Sequence, residues 1–224
     1  MDLYHALNRG VDARTIFVDS QDYARFIHDM YEFNDTALAG STYYAFKKIS
    51  GTDVTDKHTR NRLVDIHGWC LMKNHYHLLL SERVEGGMSL FLRKLNVGYA
   101  NYFNKRYERT GTLFQGRTKK IRIEHDRQFN YILHYIHLNP LDYLKGTKGW
   151  RIRAKGSYIK SSKAALAYLE KYRWSSYLDY CGIKNFPSIL TTNFFSESFP
   201  EYKKEISIYL RGAEDTTLTN LPLE

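Results

Sequence analysis

The run His75-Tyr76-His77-Leu78-Leu79-Leu80 constrains what this chain folds into more than any other stretch. Polar histidines opening an apolar run place chemistry on a buried strand. Alternate strand residues share a face, so His75 and His77 project side by side while Tyr76 points away. The preceding Val64 to Met72 is also extended in pattern, and Lys73-Asn74 forms the turn between the two strands, with the histidines at the start of the second. Far along the chain, Tyr135 and Asn139 stand at i and i+4 on the last turns of a helix that Pro140 ends. Two imidazoles, an amide and a phenol are the ingredients of a metal-assisted tyrosine nucleophile.

Charge narrows what such a site acts on. Lys plus Arg exceed Asp plus Glu by 33 to 24, a formal charge of +9, and a polyanion is the natural partner. The 19 Tyr and 12 Phe, interleaved with basic residues, add rings on which unpaired bases can stack, although many must be core. With only Cys70 and Cys181 there is no disulfide framework and no paired-cysteine metal knuckle. No apolar stretch is long enough to span a bilayer and the N-terminus lacks a signal-peptide core, so a cytoplasmic protein, nucleoid-associated when bound to DNA, is expected.

The 224 residues suit one elaborated domain spanning 1–224, with a surface excursion at 36–61 and a C-terminal helical extension at about 145–224. Leu3 to Asn8 reads as a first strand, with a short extended piece at Thr15 to Val18. Asp19 or Ser20 caps a helix whose apolar stripe is Tyr23, Phe26, Ile27, Met30 and Tyr31, a core face rather than a functional one. The excursion carries a short strand around Tyr43 to Ile49. Ser89 caps a long helix with Leu92, Leu95, Tyr99, Tyr102 and Phe103 on one face and Arg93, Lys94, Lys105 and Arg106 on the other. Leu113 to Ile123 reads as a further strand crowded with Arg117, Lys119, Lys120 and Arg122, either an exposed edge or a phosphate-facing surface. Asp126 caps the Tyr135 helix, Ala164 to Tyr180 is helical, and a last helix falls within Phe186 to Leu210.

In this order the chain resembles the single-tyrosine HUH transposases, the IS200-like family and its relatives associated with repetitive extragenic palindromes. The resemblance rests on Tyr4-His5-Ala6-Leu7-Asn8-Arg9-Gly10, Cys70-Leu71-Met72-Lys73-Asn74-His75-Tyr76-His77, Gly111-Thr112-Leu113-Phe114-Gln115-Gly116-Arg117, Tyr135-Ile136-His137-Leu138-Asn139-Pro140 and Tyr172-Arg173-Trp174-Ser175-Ser176-Tyr177. Lys73 replaces the usual proline before Asn-His, which changes turn rigidity more than chemistry. The resemblance implies an α+β, ferredoxin-like sandwich, the HUH endonuclease fold, with the His pair on a central antiparallel strand and the Tyr135 helix across it. It also implies cleavage and rejoining of single-stranded DNA with hairpin-forming ends through a 5′-phosphotyrosine, by a monomer or a homodimer.

Elementary chemistry agrees. A free phenol with pKa about 10 is ionised to only ~0.1% at neutral pH, a deficit of ~4 kcal/mol if phenolate must form first, and a nearby cation offsets it. His75, His77 and Asn139 can hold one divalent metal against the scissile phosphate. The donor set favours Mn or a later transition ion over Mg by intrinsic preference, and the resemblance implies Mg or Mn. A phenolate leaves readily, so a stored phosphotyrosine ester lets a free 3′-hydroxyl rejoin the strand without ATP. Tyr135 is therefore the expected nucleophile, and Arg117, Lys119, Lys120, Arg122, Arg93 and Lys94 the expected DNA contacts. Tyr131 has Tyr135 rather than an amide one turn on, and His137 sits about 200° from Tyr135 and faces elsewhere. Two other readings are a noncatalytic or domesticated nucleic-acid-binding protein that keeps the fold, and an RNA binder using aromatics on its sheet.

Overall fold

In the computed structural model, which describes residues 2–37, 60–147, 150–151 and 159–211, four strands form one antiparallel sheet. They are β1 (Leu3–Arg9), β2 (Val64–Met72), β3 (His75–Glu82) and β4 (Lys119–Arg122), in the order β2-β3-β1-β4. Helix α1 (Ser20–Glu32) links β1 to β2, and α2 (Gly87–Arg106) links β3 to β4. This β-α-β-β-α-β succession is the ferredoxin-like motif expected from the sequence. The Tyr43 to Ile49 strand lies outside the described residues.

Alternation sorts each strand between two cores. Tyr76, Leu78 and Leu80 of β3, with Ile66, Trp69 and Leu71 of β2 and Ala6 of β1, meet α1 and α2 through Phe26, Met30, Phe91, Leu95 and Tyr99. The opposite face, carrying Leu3, Cys70, Met72 and Leu79, packs on Tyr131, Ile132, Leu133, Tyr135 and Ile136 of α3 (Asp126–Leu138). With both faces covered, the central strand reads as a nearly continuous apolar run, and the histidines interrupt it. A bulge between Ile66 and Gly68 bends β2 beneath α3, and a Cβ at Gly68 would meet Leu133 Cδ1 at 2.8 Å, so glycine allows the helix to sit this close.

Several boundaries differ from the sequence reading. Asp19 caps α1, accepting from the amides of Gln21 and Asp22, a contribution of ~1 kcal/mol. Helix α2 begins two residues before Ser89, with Gly86 at the N-cap. His125, not Asp126, is the N-cap of α3, and the Gln128 side chain accepts from the His125 amide. Thr15 to Val18 forms no strand; the Ile16 and Phe17 amides both donate to the Lys73 carbonyl in the β2–β3 turn. The fourth strand is four residues long rather than eleven, because only Lys119 to Arg122 find partners on β1, while Phe114 makes an isolated bridge to Gly10.

The helix expected over Ala164 to Tyr180 is broken into α4 (Ser162–Lys171) and a single turn, α5 (Tyr177–Tyr180). The break serves the sheet. Leu71 N donates to Trp174 O, Ser176 N donates to Trp69 O, and Cys70 bridges Ser175, so this segment covers the outer edge of β2. Trp174 stacks on Tyr23 at 4.6 Å. Two further helices, α6 (Asn193–Ser198) and α7 (Tyr202–Leu210), complete the layer around α3.

Candidate active site

The site is built where the α3 face of the sheet meets the C-terminal end of α3. On that face β1 presents Leu3, His5, Leu7 and Arg9, and β3 presents His75, His77 and Leu79, with Leu7 opposite His77 and Arg9 opposite His75. The His75 and His77 ring centroids are 4.8 Å apart, edge to face, and the His77 and Tyr135 rings meet edge-on at 5.9 Å. His75 is half-buried, its Nδ1 2.6 Å from Asn74 Oδ1. His77 and Asn139 are completely buried. The four residues that spacing selected therefore converge around the end of α3.

A fifth residue ties two of them together. Arg151 Nη1 donates to the Tyr135 hydroxyl at 2.8 Å, and Arg151 Nη2 donates to Asn139 Oδ1 at 2.6 Å. The Asn139 amide in turn donates to the Tyr135 carbonyl at 2.8 Å. Asp142, on the 3-10 turn Asn139–Tyr143, anchors the guanidinium, with Arg151 Nη2 donating to its Oδ2 at 2.8 Å. The guanidinium also lies over the Trp150 ring at 4.3 Å. Burial opposes its charge, but the Asp142 carboxylate and the Tyr135 hydroxyl hold it protonated, above the ordinary arginine range.

Burial first, then His5 and His75, then Arg151 and Arg9, push His77 well below the ordinary histidine range, so its imidazole is neutral. Its Nδ1 lies 2.9 Å from His5 Nε2, while its Nε2 is buried without a hydrogen-bond partner among the described residues. A buried, neutral imidazole nitrogen with no protein partner fits a metal ligand. No group of three His, Cys, Asp or Glu side chains placed to hold a metal occurs among the described residues, so the donor set would be completed by the Asn139 amide.

The basic residues divide differently. On β4, Lys119 lies opposite Leu7 and Ile121 opposite His5, so Lys119 shares the histidine face. Lys120 and Arg122 point to the other face, where Lys120 Nζ donates to Ser89 Oγ of α2 at 3.1 Å and Arg122 pairs with Asp2. Arg117 is exposed in the bend before β4. Arg93 is exposed on α2, which packs against the sheet face opposite the histidines. Lys94 donates to the carbonyls of Asp35 and Ala37, a structural tether. His137 points away from Tyr135, toward Tyr202 and Ser176, and Tyr131 accepts from the Tyr209 hydroxyl in the core.

His75, His77, Tyr135 and Asn139 fall in a segment with a family signature. Residues 48–139 match the family model for "Transposase IS200 like". The resemblance read from the sequence is borne out over that span, which holds His75, His77, Tyr135 and Asn139. No curated protein matches the chain. A solved structure described as the REP-associated tyrosine transposase bound to a REP hairpin aligns with a TM-score of 0.46 and 10% identity, covering 86% of each chain.

Outside the IS200-like match, His5, Arg9 and Arg151, the last held by Asp142 and Trp150, stand in the site and escaped the sequence reading of its chemistry. His5 and Arg9 were detectable in principle, because the first strand's alternation puts them on one face with Leu3 and Leu7. Arg151 carries no spacing signal; it lies in a basic stretch 16 residues beyond Tyr135 and reaches the site only through the fold. Among the described residues no helix is long and apolar enough to cross a membrane.

Proposed function

We propose that this chain is a transposase or transposase-derived nuclease that cleaves and rejoins single-stranded DNA at hairpin-forming ends through a 5′-phosphotyrosine on Tyr135. The observation that carries the reading is the convergence of the Tyr135 phenol with two imidazoles and the Asn139 amide, the phenol hydrogen-bonded to a half-buried cation. A core tyrosine needs no guanidinium on its oxygen. A nucleophilic one benefits, since a cationic donor stabilises charge on the phenol oxygen.

In the forward step Tyr135 Oη attacks the scissile phosphorus, the new P–O bond forms in line with the breaking P–O3′ bond, and the 3′-hydroxyl departs with a proton while the phenol loses its own. In the reverse step a 3′-hydroxyl attacks the same phosphorus and the tyrosine oxygen leaves. His75, His77 and Asn139 would hold a divalent metal, Mg or Mn, which when bound supplies Lewis-acid polarisation of a phosphoryl oxygen. Arg151 orients the phenol, and burial of His77 keeps its imidazole neutral and able to ligate. In this reading Lys119 and Arg9, which share the histidine face, contact the DNA backbone, whereas Lys120 and Arg122 lie on the other side of the sheet.

The test is a denaturing gel of the protein with labelled hairpin-ended oligonucleotides in Mn or Mg. A covalent adduct that EDTA prevents and Tyr135→Phe abolishes, with DNA binding intact, is expected. An adduct that survives Tyr135→Phe would sink the assignment, and tight binding with no adduct across the panel would favour a noncatalytic binding protein.

A further inference from the structure

His5 stands on β1 opposite Leu79, one step along the face from the Leu7–His77 pair, so its ring lies diagonally across from His77. Both side chains are completely buried, their rings are nearly parallel at 14°, and His5 Nε2 is 2.9 Å from His77 Nδ1. This is a direct hydrogen bond, and between two imidazoles it requires a proton on one of the two facing nitrogens and a lone pair on the other.

Two tautomers of His77 satisfy that contact. With its proton on Nε2, His77 accepts from His5, and a buried N–H at Nε2 is left with no acceptor among the described residues. An N–H orphaned in this way destabilises the fold. With its proton on Nδ1, His77 donates to His5 Nε2, and its own Nε2 carries an outward lone pair. Only the second arrangement makes His77 a ligand, and it turns the orphaned nitrogen from a defect into a prepared one.

We propose that His5 is the positioning residue for His77: it accepts the Nδ1–H of His77, fixing the tautomer and ring orientation that leave Nε2 to bind a divalent cation. Metal-bound histidines commonly donate their other N–H to a carboxylate or a backbone carbonyl. Here an imidazole fills that place, which suits a site where a buried carboxylate would carry an extra desolvation cost. The Tyr135 ring closes edge-on over His5 at 5.9 Å, so the group that orients His77 also abuts the nucleophile's ring. The inference rests on the metal-dependent reading above.

The test uses the full chain without DNA. Mn titrated by calorimetry into wild type, His5→Phe, His5→Gln and His77→Ala gives affinities, and 15N ring spectra give the His77 tautomer. His5→Phe keeps a ring but removes the acceptor and is expected to weaken Mn binding by about 10–100-fold. His5→Gln, whose Oε1 can accept where Nε2 did, is expected to restore most of the affinity, and wild-type His77 is expected as the Nδ1–H tautomer. Wild-type affinity in His5→Phe, or His77 found as the Nε2–H tautomer, overturns the proposal. Mn binding unaffected by His77→Ala identifies failure of the metal reading instead; the ring spectrum of the wild type then decides the His5 bond by itself, even where His5→Phe does not fold.

Discussion

Arg151 Nη2 lies 2.6 Å from Asn139 Oδ1, so the amide oxygen proposed as a metal ligand is held by a cation. A guanidinium and a divalent ion on one carbonyl oxygen repel each other, and the second must displace or crowd the first. Arg151→Gln is expected to tighten Mn binding about tenfold, ~1.4 kcal/mol. Asn139→Ala is expected to weaken it. Calorimetry on the DNA-free protein reads both, and an unchanged affinity in Arg151→Gln beside a weakened Asn139→Ala would mean that Arg151 and the metal do not compete.

Strand alternation separates two adjacent lysines. Lys119 is opposite Leu7 on the histidine face, while Lys120 turns to Ser89 of α2. If DNA lies along the histidine face, Lys119→Ala lowers the salt dependence of single-strand binding by about 0.7 in log–log slope, one phosphate's share. Lys120→Ala leaves the slope as it was. Fluorescence anisotropy across a potassium chloride series makes the comparison, and equal losses from the two variants would show that DNA does not respect the faces of β4.

What the sequence disclosed and what it withheld follow from the range of the interactions. His75 and His77 share a face because of a two-residue period, and Tyr135 and Asn139 share one because of a four-residue step; both rules are local. His5 meets His77 across 72 residues of chain, and Arg151 meets Tyr135 only after the turn at Asn139–Tyr143 folds back. No local period encodes those contacts. The fourth strand came out short for a related reason, since its length is set by how many residues find partners on β1 rather than by its own pattern. The Ala164 to Tyr180 helix broke because residues 174–176 were recruited to the β2 edge.

Gly10 shows how a motif can carry fold rather than chemistry. Its amide donates to the Asn74 carbonyl at 2.8 Å, pinning the end of β1 to the turn that precedes His75. A Cβ at this position would lie 2.4 Å from Arg14 O and 2.7 Å from Ile16 Cγ2. The first neighbour is backbone and cannot rotate away. Gly10→Ala is expected to cost ~1–3 kcal/mol as overpacking, read as a lower urea midpoint with an unchanged denaturant slope. A midpoint equal to that of the wild type would show that the loop after β1 yields freely.

His137 links the C-terminal helix to the sheet and makes stability depend on pH. Its Nδ1 is 2.7 Å from the Tyr202 hydroxyl and its Nε2 2.7 Å from Ser176 Oγ, which itself accepts from the Trp69 amide. Burial, reinforced by the neighbouring His134, holds its pKa well below the ordinary range, so the folded state keeps it neutral. The unfolded chain protonates it near pH 6.5. Below that pH the unfolded state binds one more proton than the native state, so this histidine's contribution is intact above about 6.5 and lost as pH falls, at ~1.4 kcal/mol per unit. His67, lowered by burial in the same direction, adds to the loss. Denaturant unfolding from pH 7 to 5 is expected to show declining stability, with a slope shallower in His137→Gln by up to about 1.4 kcal/mol per unit, one proton's worth. Parallel profiles for wild type and variant would mean that His137 takes up its proton in the native state, and that the Tyr202–His137–Ser176 chain tolerates a charge.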